Sequence, residues 1–176
     1  MSHLEPYAGT RRTVRIERNR PSNPTLNGYV LDCANGLAVV HQFDDFEPDG
    51  YAIIRECDIV AVRQGDYETL WDRMLEGEGL LGGLDEAPKI DLSSMATAIE
   101  AAAAGHPFLA IECEDEDEPI QDFYFAKVLH VTGSHVHLRC VDGLGQWEEP
   151  DPVLLGDITM VQMATPYLTR FAKYVP

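Results

Sequence analysis

Residues 28–43 read GYVLDCANGLAVVHQF, and residues 126–141 read AKVLHVTGSHVHLRCV. In the first stretch Asn35-Gly36 separates two apolar runs. Both central positions of a type I′ turn take positive φ, which Asn-Gly tolerates best. In the second, Gly133-Ser134 holds the matching place and suits a type II′ turn, which takes glycine first. An offset of 98 positions aligns Val30-Leu31 with Val128-Leu129, Cys33 with Val131, Ala38 with Val136, Val40 with Leu138 and Asp44 with Asp142, without a gap. Each stretch is expected to be a β-hairpin, and the two hairpins to be one element written twice. Alternation places Leu31, Cys33, Ala38 and Val40 on one face, and Leu129, Val131, Val136 and Leu138 on the equivalent face.

The correspondence extends outward with small drifts in the intervening loops. TVRIER (13–18) matches FLAIEC (108–113), and FEPDGYAIIRECDIVAV (46–62) parallels WEEPDPVLLGDITMV (147–161), with Asp58-Ile59 against Asp157-Ile158. Each copy ends in an aromatic amphipathic segment, where Tyr67, Trp71 and Met74 match Tyr167, Phe171 and Tyr174 at helical spacing. Five short antiparallel strands per copy are too few for a sandwich and suggest a small barrel. The expected fold is therefore mainly β with some α (α+β): a tandem duplication of a five-stranded barrel, each copy followed by a short helix. The segments are 1–78, a linker at 79–106, and 107–176. Within the linker a Gly-rich half precedes LSSMATAIEAAAAG (92–105), a helix with Ser93 or Ser94 near its N-cap and Gly105 as its stop.

The order of elements is similar to that of SH3-like and Sm-like small barrels. DGYAIIRECDIVAV (49–62) resembles a phrase of uncharacterised bacterial proteins with such barrels, through Asp49, Gly50, Tyr51, Ile53, Ile54, Arg55, Asp58 and Ile59. The second copy departs from it, with Pro152 where Gly50 or Tyr51 would fall. The resemblance implies a fold and carries no activity.

Composition narrows the function classes. The chain has 176 residues, 45% of them hydrophobic, and a net charge of -17. So acidic a body repels phosphate backbones and attracts basic partners, which makes nucleic-acid binding unfavourable. The exception is the first twenty residues, with Arg11, Arg12, Arg15, Arg18 and Arg20. No run approaches the length of a membrane span, and no signal-peptide core opens the sequence, so a cytoplasmic location is expected. Cys33, Cys57, Cys113 and Cys140 include no C-x-x-C pair and read as reduced thiols.

Two features concentrate chemistry. His130, His135 and His137 project together from the outer face of the second hairpin, where three imidazoles suit a divalent transition metal; the plainer reading is a solvated strand face. The acidic run ECEDEDEP (112–119) lacks the glycine and carbonyl positions of a calcium loop. Glu114, Asp115, Glu116, Asp117 and Glu118 read as a solvated loop, or as a docking site for a basic partner or for the chain's own arginine-rich start. Leu37 and Val39 replace His135 and His137 on the first hairpin and mark a covered surface. The cover would be the second copy, the linker helix or another chain, including a homo-oligomer. Cys140 reads as core. Asp58 and Asp157 read as turn residues accepting backbone N–H groups.

Three functions remain open: a non-catalytic protein-interaction or regulatory module with an acidic surface, a metal-binding protein or metal-dependent enzyme using the histidine hairpin, and RNA binding by Sm-like barrels.

Overall fold

A computed structural model describes residues 3–115, 117–118 and 120–176. The strands are β1 (Thr13–Arg18), β2 (Thr25–Ala34), β3 (Leu37–Asp44), β4 (Glu47–Arg55) and β5 (Ile59–Arg63), then β6 (Leu109–Cys113), β7 (Asp122–Val131), β8 (His135–Cys140), β9 (Asp151–Leu154) and β10 (Met160–Met163). Three helices accompany them: α1 (Asp66–Gly77), α2 (Met95–Gly105) and α3 (Pro166–Phe171). Asn35 and Gly36 both adopt positive φ between β2 and β3. Ser94 caps α2 by accepting from the Thr97 amide.

The strands form one ten-stranded antiparallel sheet in the order β5-β1-β2-β3-β4-β10-β6-β7-β8-β9. The two five-strand halves share an internal order and register. Val14 faces Gly28 as Leu109 faces Ala126, Val30 faces Val40 as Val128 faces Leu138, and Ala38 faces Ile54 as Val136 faces Val153. Even the irregularity after Val30 recurs after Val128.

The expectation of two separate barrels, each with its helix, is corrected by this sheet. β4 pairs with β10, matching Ile54 to Met160, Ile53 to Val161, Ala52 to Gln162 and Tyr51 to Met163. The strand edges that would close each half on itself are thus bonded to each other, and the result is one continuous sheet. A core crosses this seam: Leu37, Val39 and Ile53 pack with Ile111, Leu138 and Val161, under Ala98, Ile99 and Ala102 of α2. Removing these side chains from water, at about 25 cal/mol per Å² of apolar surface, is what holds the halves together.

The irregularity in β7 also moves one side chain. Leu129, expected on the inner face, is 49% exposed because the register slips between Val128 and His130. Val136 and Leu138 remain fully buried.

The outer edge at β9 differs from the seam it resembles. The Glu56 amide donates to the Gly36 carbonyl, so by alternation the Ile53 amide points away from β3, toward β10. The Leu155 amide likewise donates to Ser134, so position 152 points away from β8. That position is proline, which has no N–H to offer. Among the described residues, no helix is long and apolar enough to cross a membrane.

Candidate functional site

Strand β1 continues its alternation past its end, so Arg18 and Arg20 fall on one side of the chain, two residues apart. β6 does the same with Glu112 and Glu114. The fold brings these pairs together at one end of the seam. Arg18 Nη2 lies 2.6 Å from Glu114 Oε2, with both side chains 0% exposed. Arg18 also donates to the Asn23 carbonyl at 3.0 Å, while the Thr159 hydroxyl donates to the Glu114 carboxylate at 2.7 Å. A buried pair this well hydrogen-bonded offsets a desolvation cost of several kcal/mol per ion.

Arg20 donates to Asp58 at 2.5 Å and to the Glu114 carbonyl at 3.0 Å. Its own pKa is raised, first by the Asp58 hydrogen bond. Asp58 is therefore a buried ion-pair partner, and the expected turn role, accepting backbone N–H groups, is replaced by this pair. Glu112 accepts from Asn23 at 2.7 Å and from Gln162, yet burial holds its carboxyl above the usual range. Glu114, read either as part of a solvated loop or as a docking point for a basic partner or the chain's own arginine-rich start, is an internal anchor taken up by Arg18 and Arg20.

Beyond this anchor lies a polar cleft of about 390 Å³, lined by Arg20, Arg55, Cys113, Asp115, Glu118, Asp122, Asp157 and neighbours. Arg20 is neutralised by Asp58 and also donates to the Glu114 carbonyl. Arg55 donates to the Leu155 carbonyl at 2.6 Å, a bond that holds its guanidinium in place but leaves its one positive charge against four carboxylates. Asp115, Glu118, Asp122 and Asp157 are exposed. The uncommitted charge of the cleft is thus negative. Gln121 staples the loop from both ends, donating to the Asp115 and Glu118 carbonyls and accepting the Asp115 amide. Asp117 is also exposed, and Glu116 lies outside the described residues. Burial pushes the Cys113 thiol in the cleft wall up to about 12, opposite to what a nucleophilic cysteine needs.

The remaining candidates are placed as follows. Leu37 and Val39 are buried in the shared core, covered by this chain's own elements rather than open to a partner. His130 and His137 pair across the hairpin with rings stacked at 4.0 Å and 14°, and His135 lies 6.5 Å from His137. Stacked parallel rings aim their nitrogens side by side rather than at one point. Among the described residues no group of three or more His, Cys, Asp or Glu side chains forms a metal-sized cluster. Cys140 is buried, its thiol raised to about 11 chiefly by burial. Of the N-terminal arginines, Arg11 pairs with Asp85 and Arg15 approaches Glu17.

Comparisons with protein-family models, with curated proteins and with solved structures find no match to this chain.

Proposed function

We propose that this chain is a non-catalytic interaction module that receives a basic segment of a protein partner in the acidic cleft at the end of the seam. The observation that carries this reading is the cleft's charge balance: Arg20 is taken up by Asp58, and the one remaining positive charge, on Arg55, faces four carboxylates left to solvent, Asp115, Glu118, Asp122 and Asp157. A net charge of -17 reinforces it by drawing polycations toward the whole surface. The cytoplasm is the proposed location, where cysteines that form no disulfide persist as thiols.

Capture of partners from a native lysate, followed by association kinetics across salt, tests the reading. Changing Asp115, Glu118 and Asp157 together to Asn or Gln is expected to slow association and flatten its salt dependence, with the fold intact. RNA as the captured partner, bound more tightly by the neutralised variant, would overturn it in favour of phosphate recognition.

A further inference from the structure

The structure assigns a second recognition point: the pocket between the β3–β4 hairpin and α1 binds the guanidinium of an arginine side chain presented by a basic partner. This rests on the interaction-module reading and adds a site distinct from the cleft. The pocket, about 230 Å³, is walled by Phe43, Phe46 and Trp71, with Asp44 and Asp45 at its rim and Asn27 in its lining. Phe46 and Trp71 meet edge to face, centroids 5.8 Å apart at 87°, and form a right-angled aromatic corner.

Four observations point to a missing cation with several N–H donors. First, Asp44 and Asp45 are exposed and make no ion pair or side-chain hydrogen bond among the described residues. Second, the Asn27 Oδ1 atom is buried and accepts no hydrogen bond from the protein, so it is open to a donor from a ligand or from water. Third, burial chiefly, and the Asp44 charge after it, hold the carboxyl of Asp49, just outside the pocket lining, above its ordinary range, so the negative charge of Asp44 is felt beyond the pocket itself. Arg15 lines the pocket, yet its Nε lies toward Glu17 at 3.9 Å.

The fourth observation is backbone strain. The hairpin turns through Asp45 (φ 46) and Phe46 (φ 66), both left-handed. Asp tolerates that conformation, but a bulky aromatic rarely adopts it. The hairpin between β2 and β3 solves the same problem with Asn35-Gly36. Here glycine's place is held by the ring that builds the pocket wall. Strain of this kind is retained where the side chain has a use.

A guanidinium matches this chemistry better than an ammonium. It is planar, stacks on an aromatic face, sheds water more readily, and spreads five donors toward two carboxylates and an amide oxygen.

Titration calorimetry of the full chain with an acetylated, amidated peptide of alternating glycine and arginine tests the assignment, with a lysine counterpart beside it. Phe46→Gly is the informative variant, because it relieves the turn. It should raise thermal stability while weakening the arginine peptide about tenfold or more, and Asp45→Asn should weaken it comparably without unfolding the chain. The lysine peptide should bind several-fold less tightly. Unchanged affinity in both variants, or equal binding of the lysine peptide, would refute the assignment. If Asp115→Asn with Asp157→Asn abolishes binding while the pocket variants bind normally, the pocket fails and the cleft reading stands. No arginine-peptide binding to the wild type refutes the pocket, and the cleft is then judged on its captured partner.

Discussion

His41 lies on β3 with 3% of its surface exposed. Its ring stacks on Tyr51 at 4.6 Å and leans on Phe43 at 4.8 Å, and Nδ1 is buried without a partner. Gly83 covers it so closely that a Cβ there would sit 3.0 Å from the imidazole Cε1. Burial therefore lowers its pKa from 6.5 to about 4. The folded state binds this proton more weakly than the unfolded chain does, so stability is full above the unfolded pKa and is lost as pH falls toward 4. From those two values the loss is roughly 2 kcal/mol between pH 7 and pH 5, and about 3 kcal/mol by pH 4. Many carboxylates titrate over the same range, so the informative quantity is a difference. Urea unfolding of the wild type and of His41→Phe, run at several pH values, should give stabilities whose gap shifts by that amount in the variant's favour. Parallel curves, or an NMR titration of the His41 ring with its midpoint near 6.5, would refute the reasoning.

Other substitutions probe the seam and the sheet. Glu114→Gln leaves the Arg18 charge buried and uncompensated and should cost about 3–5 kcal/mol in chemical denaturation, whereas replacing Arg18 and Glu114 together with apolar residues should recover much of it. A Cβ at Gly28 would lie 2.1 Å from the His41 backbone oxygen, so Gly28→Ala should destabilise by roughly 1–3 kcal/mol, visible as a lower denaturation midpoint; a neutral result would mean β2 and β3 can separate freely. Pro152→Ile restores an outward N–H on β9, matching the edge that Ile53 presents to β10. It should produce concentration-dependent self-association in analytical ultracentrifugation, absent from the wild type under the same conditions.

The hairpins were legible because they are local. Asn35-Gly36 and the alternation around it specify a turn and a face from within sixteen residues. The seam was not, because β4 and β10 are a hundred residues apart and nothing in either names its partner. One clue was present: LAVV at 37–40 does not alternate, and an unbroken apolar run belongs to a strand covered on both sides. Glu112 and Glu114 carried another, since they share a two-residue period with Arg18 and Arg20 that a solvated acidic loop does not need. The aromatic pocket escaped notice because Asp45-Phe46 lacks the composition of a tight turn; only the backbone reveals that it is one.

The β4–β10 pairing also orders events during synthesis. The chain's first half, with β4 complete by Arg55, emerges long before Met160–Met163 exist. Until then β4 presents an unpaired edge, and Ile53, which the finished fold buries in the shared core, lacks the residues that cover it. The nascent protein thus carries its most adhesive strand uncovered for about a hundred codons, or roughly 5–20 seconds at ordinary elongation rates. Once β10 arrives it competes as a tethered partner, at the millimolar effective concentration that a connecting chain provides. Severing the connection near residues 79–91 would exchange that advantage for ordinary bimolecular encounter, and the two fragments would find each other only as fast as their concentrations allow.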